Sequence, residues 1–268
     1  AAEAAMAFGQ AGAIQGQLNF TRENERDADR VGLQILDQAG FDPHAMSIFF
    51  ERLQRATRIY EGGAPSYLRT HPLTFERIAD IQNRMQGMSY RQVPDSLGFQ
   101  LIRAKLRSNF DAPRDAVAFF EQSLAERKYL SEAAGRYGLV VSLTRTRDYA
   151  RARMELEALR KRVPANPIVE TLACEFGQET YGPEKTLPCF REALKSYPAY
   201  RALVYGYANA LLLAKQPEEA LRFVEGRLQV VMGDYRLYLL QAKSYAALNR
   251  RLSQHRAQAE AYVQMGNL

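Results

Sequence analysis

Apolar residues recur every three to four positions along most of the chain, and alternating β-branched runs bounded by Asn-Gly or Asp-Gly are nearly absent. That pattern predicts an all-α protein. Residues 1–18 form an Ala/Gly/Gln-rich stretch whose single charge is Glu3, read as the end of a buried helix whose beginning has been cut off. The segment TRENERDADRVGLQILDQAG reads as one helix, with Thr21 as N-cap, acids crowding its first turns and Gly40 at C′. Asp42-Pro43 starts the next helix, which runs to a break at Gly62-Gly63-Ala64-Pro65. The loop SYLRTHP then leads into a third helix, LTFERIADIQNRMQ, whose start Pro72 favours. Gln92 to Ser96, with Pro94 inside, is a linker, and it divides the chain into residues 1–95 and 96–268.

Beyond the linker the pattern repeats. Pro164 and Pro198 stand 34 residues apart, each closing a helical pair. Ala152, Thr186 and Ala220 keep the same interval, as do Cys174, Ala208 and Ala242, all small residues where two helices must cross closely. Leu156, Phe190 and Val224 supply a bulky residue in the same register. A 34-residue helix–turn–helix period of this kind is the tetratricopeptide pattern. It predicts an α-solenoid with repeats near 133–166, 167–200, 201–234 and 235–268, and a less regular pair over 99–130 as a capping unit. The last repeat ends in MGNL, a turn, so the solenoid is expected to have been trimmed there or to take its next helix from a partner.

Composition changes this picture little. The chain has 268 residues, 47% hydrophobic and 25% charged, an ordinary globular mixture with ample length for a core. No run of about 18 apolar residues offers a membrane-spanning helix. The charge is uneven: residues 1–90 carry 9 basic and 11 acidic groups, net −2, which leaves +8 of the total +6 to residues 91–268. These charges are interleaved, so they read as a solvated surface able to favour acidic partners rather than as a nucleic-acid interface. Residues 1–18 are compatible with peripheral membrane contact but lack the Lys/Arg face of interfacial helices. The first residue is Ala1, not Met, and no basic region followed by an apolar one appears at the start, which suggests an internal fragment or a processed chain.

Few residues could carry chemistry. Glu25 and Asp29 are four apart and share a helix face, with Ala28, Gly32 and Leu36 placed on it as well. Two acids on a core face need cations. Arg22, Arg26 and Arg30 are the bland partners, and a metal ion is the alternative. His71, in Thr70-His71-Pro72, sits at a loop-to-helix junction that Pro72 stiffens, either as an exposed ring or cap or as a presented imidazole. His44 and His255 read as surface residues. Cys174 and Cys189 fall on the two helices of one repeat, as a disulfide in an oxidising compartment or as two small buried hydrophobes.

The run Glu25-Arg-Asp-Ala28-Asp29, followed by Arg30-Val-Gly32, resembles the third-ligand helix of zinc metallopeptidases of the Ste24/HtpX/Oma-like group. Gly-Phe-Asp-Pro at 40–43, Thr-His-Pro-Leu at 70–73 and the repeats narrow the likeness to the BepA-type bacterial periplasmic proteases. The resemblance implies that residues 1–95 are the C-terminal part of a metallopeptidase domain and that 96–268 are a tetratricopeptide-repeat domain. It further implies that Glu25 binds zinc, that Asp29 orients a histidine ligand from outside the inner coordination sphere, and that His71 can fill the fourth zinc position and hold the enzyme latent. It implies zinc in the full-length protein and a periplasmic location. The role it implies is assembly and quality control of outer-membrane β-barrel proteins, with the repeats gripping clients or the assembly machinery. HExxH occurs nowhere in the 268 residues, so this chain by itself is expected to bind zinc weakly or not at all and to hydrolyse nothing. A non-catalytic tetratricopeptide scaffold is the competing expectation, and a cytoplasmic adaptor ranks last because it leaves residues 20–85 unexplained.

Overall fold

The computed structural model describes residues 21–59 and 75–266. Among these residues every regular element is a helix, as the periodicity predicts. The chain divides into two compact units, Ala1–Pro94 and Asp95–Leu268.

The first unit has three described helices: α1 over 21–38, α2 over His44–Ile59 and α3 over Phe75–Met85. α1 stops where expected. Gly40 takes φ +80°, and the Phe41 N–H donates to Leu36 O at 3.0 Å, closing a Schellman turn. Asp42 caps α2, its Oδ1 accepting from the His44 N–H at 3.1 Å and meeting His44 Nδ1 at 2.9 Å. Burial works to raise the Asp42 carboxyl, but the hydrogen bonds from His44 prevail and hold it below the ordinary value. Leu33, Phe50, Ile78, Ile81 and Met85 form the core of this unit, one apolar side from each helix.

The second unit holds five consecutive helix pairs: α4 (Leu97–Phe110) with α5 (Pro113–Ala125), α6 (Glu132–Arg145) with α7 (Tyr149–Arg162), α8 (Pro167–Tyr181) with α9 (Pro183–Ser196), α10 (Arg201–Leu213) with α11 (Pro217–Leu228), and α12 (Tyr235–Ala247) with α13 (Arg251–Gln264). Proline stands at the first helical position of α5, α8, α9 and α11, where its missing N–H costs nothing. Within the stack the second helix of one pair packs on the first helix of the next.

The positions picked out by the 34-residue interval are buried. Ala152, Thr186 and Ala220 are 0%, 4% and 0% exposed, which fits crossings too tight for larger side chains. Leu156, Phe190 and Val224 fill the space between helices. At two crossings only hydrogen fits: a Cβ on Gly138 would lie 2.2 Å from the Phe120 ring, and one on Gly206 would lie 2.6 Å from Phe190. Cys174 and Cys189 are joined in a disulfide that ties α8 to α9. Tyrosine hydroxyls tie further helices together, Tyr205 donating to Asp234 and Tyr245 to Glu225 at 2.5 and 2.8 Å. The outer side of the pair α4–α5 carries exposed apolar residues, among them Phe99, Leu106 and Phe110. No helix among the described residues is long and apolar enough to cross a membrane.

Candidate metal centre

The two acids singled out from spacing do lie on the inward side of α1. The face runs through Glu25, Asp29 and Leu33, whereas Ala28 is exposed, so the stripe is rotated slightly from the one read off the sequence. A carboxylate buried like Asp29, whose side chain is 6% exposed, requires a compensating charge.

That charge comes from α3. Arg77 grips Asp29 with two parallel bonds, Nε to Oδ2 and Nη2 to Oδ1, each 2.7 Å. Its remaining nitrogen, Nη1, reaches Glu25 Oε2 at 2.9 Å. The guanidinium also lies 5.3 Å from the centre of the Phe50 ring on α2, so all three helices meet around it. Burial opposes the charge on Arg77, but the bonded Asp29 and the neighbouring Glu25 outweigh it and raise its pKa above the usual value. Two carboxylates thus share one guanidinium.

The bland partners expected on the same helix are not the ones used. Arg26 pairs with Glu76 and Arg30 with Asp27, both at the surface. Arg77 was missed because nothing in FERIADIQ marks it beyond its position beside Ile78 and Ile81, the apolar edge of α3. His71 lies outside the described residues. Among the described residues no group of three His, Cys, Asp or Glu side chains could hold a metal ion. Zinc needs at least three protein ligands, and the described residues do not supply such a set.

Residues 2–85, which span this cluster, match Peptidase family M48. The stretch that resembles M48 peptidases is thus followed by a helical-repeat solenoid. Across 261 residues, 96% of its length, it is 31% identical to the beta-barrel assembly-enhancing protease of Escherichia coli K12, and over a comparable stretch 27% identical to that of Yersinia pestis. The likeness to the BepA type, first seen in three short motifs, therefore extends along the chain. The chain spans about half the length of these curated relatives, 53% in each case. In the solved structures, a tetratricopeptide repeat protein from Parabacteroides merdae shares the fold, with a TM-score of 0.53, 12% identity and coverage of 90% of this chain and 93% of that one.

Proposed function

We propose that this chain is part of a zinc-dependent metalloendopeptidase of the bacterial periplasm that acts in assembly and quality control of outer-membrane β-barrel proteins. The observation that carries the reading is the Glu25–Asp29 pair, inward-facing and held by Arg77, inside the segment that matches Peptidase family M48. The relatives, beta-barrel assembly-enhancing proteases, supply the link to β-barrel assembly. On this reading residues 1–95 are the C-terminal part of the peptidase domain and 96–268 are its recognition arm.

Glu25 would offer a carboxylate oxygen as one zinc ligand, and the Arg77 contact at 2.9 Å would keep that carboxylate aimed. Asp29, whose oxygens have lone pairs beyond those given to Arg77, would hold a histidine ligand in its proper tautomer. His71 would close the last position when the enzyme is latent. When bound, zinc supplies Lewis-acid polarisation of the peptide carbonyl and activation of water. The two histidines and the general base of HExxH would have to come from outside the 268 residues, so this chain alone hydrolyses nothing.

For the arm, α4, α6 and α8 line a groove of about 470 Å³ with Lys105, Asn109, Arg145, Leu172, Phe176 and Glu179, polar at its rim and apolar at its floor. Such a groove suits an extended polypeptide. The test is proteolysis of an unfolded outer-membrane β-barrel protein by the product of the complete reading frame. Cleavage should be lost with chelator and with Glu25→Gln. Cleavage that survives both would take zinc and Glu25 out of the reaction, and no cleavage by the natural sequence would leave the repeats as a non-catalytic scaffold.

A further inference from the structure

Within the second unit, no described helix covers one side of the solenoid's first helix. Phe99, Ile102, Leu106 and Phe110 follow one another at intervals of three, four and four residues, a single stripe along α4, and are 53%, 42%, 53% and 84% exposed. The stripe covers three turns, about 16 Å. The opposite side of α4 is committed to α6, against which Leu101 and Ala104 pack while Ser108 Oγ donates to Gly138 O at 3.0 Å. Elsewhere in the stack the corresponding outer side of a first helix is covered by the second helix of the preceding pair: α5 lies on α6, α9 on α10 and α11 on α12. The consequence shows in burial. α6, flanked on both sides, buries nine of its 14 residues; α4 buries three of 14.

Beside the stripe, between α4 and α5, runs a groove of about 690 Å³. Its apolar lining includes Leu106, Phe119 and Leu130, and its rim is cationic, with Arg103, Arg107, Arg127 and Lys128. Arg107 stacks 3.5 Å from the centre of the Phe119 ring, and Arg103 stands 6.0 Å from that of Phe99. Asp111 and Glu126 answer Arg107 and Lys128. Arg103 and Arg127 have no carboxylate partner among the described residues. The surface is therefore shaped for a helix, apolar along its centre and short of negative charge along its edges.

We infer that this end of the solenoid is a docking surface for an acidic amphipathic helix of a partner polypeptide. Its apolar stripe lies along Phe99–Phe110 in the place a preceding repeat helix would take, and its carboxylates meet Arg103, Arg107 and Arg127. Charge selects this occupant over a second copy stacked end to end. The far end of the solenoid, α13 and the turn before it, presents Arg250, Arg251 and Arg256 beside the exposed Leu252, so such stacking would set cations against cations. This inference does not depend on the protease reading.

The experiment uses the 268-residue chain and a fluorescein-labelled, 18-residue helical peptide with leucines at the same three-four-four spacing and glutamates on both flanks. Controls are the same peptide with lysines for glutamates and a scrambled version. Fluorescence anisotropy should give saturable binding of the glutamate peptide alone, weakening as salt rises. Leu106→Asp, and separately Arg103→Glu with Arg107→Glu, should each weaken it by about tenfold or more while the circular dichroism spectrum is unchanged. Equal binding of the lysine peptide, binding indifferent to both sets of substitutions, or no binding of the glutamate peptide would overturn the inference. Self-association of the chain that Leu106→Asp abolishes would also overturn it, in favour of a second copy.

Discussion

Replacing Arg77 by methionine is expected to destabilise the first unit by about 3–5 kcal/mol, the usual cost of leaving a buried carboxylate without its partner. Methionine keeps much of the apolar stem of arginine, so the larger part of the effect is electrostatic. The side chains concerned are 11%, 12% and 6% exposed for Arg77, Glu25 and Asp29, hence poorly screened by water. Arg77→Lys should recover only part of the loss, because an ammonium cannot make the two parallel bonds to Asp29. A double-mutant cycle with Asp29→Asn separates the pair from its surroundings. Urea unfolding followed by circular dichroism reads both quantities. A loss under about 1 kcal/mol, the range of surface ion pairs, would mean that Arg77 is not what makes the buried acids tolerable.

The second large effect concerns the solenoid. The Cys174–Cys189 disulfide closes a loop of 15 residues, for which chain-entropy arguments give about 3 kcal/mol. Cys189→Ala should therefore lower the stability of the second unit by roughly this amount. Reductant should lower the natural chain to the same level and leave the variant where it is. Cys174 is fully buried in the core, so its own replacement would mix cavity and cross-link effects, and Cys189 is the cleaner site. Identical urea midpoints with and without reductant would show that the thiols contribute only as small buried side chains. A cross-link of this kind also accords with an oxidising compartment.

The sequence revealed the solenoid far better than it revealed the acid cluster, for a physical reason. A repeat writes the same packing problem several times, and Ala152, Thr186 and Ala220 each answer it at the same interval with a side chain small enough for the crossing. One sequence is then its own alignment. The partner of Glu25 and Asp29 occurs once, 48 residues beyond Asp29, and nothing local specifies it. Spacing rules see only neighbours on the same helix, which is why Arg22, Arg26 and Arg30 stood as the expected cations. Arg26 and Arg30 face outward toward Glu76 and Asp27. The choice of Ala28 as inward-facing failed for a related reason: the arc of a helix that is buried depends on where its neighbours sit, and Phe50 and Ile78 bring those neighbours to the Leu33 side. The bare side of α4 went unread because Phe99, Ile102, Leu106 and Phe110 have the spacing of an ordinary core stripe. Only the order of the stack shows that, among the described residues of the second unit, no repeat helix precedes it.

The proposed role of Glu25 as a zinc ligand in the full-length protein is tested most directly by metal content. The product of the complete reading frame, natural and as Glu25→Gln, would be dialysed against the same weak chelator and its zinc counted by mass spectrometry. One zinc per natural chain and little in the Glu25→Gln variant is the result predicted here. Equal zinc in the two proteins, with both folded, would contradict it and leave Glu25 as no more than a structural partner of Arg77.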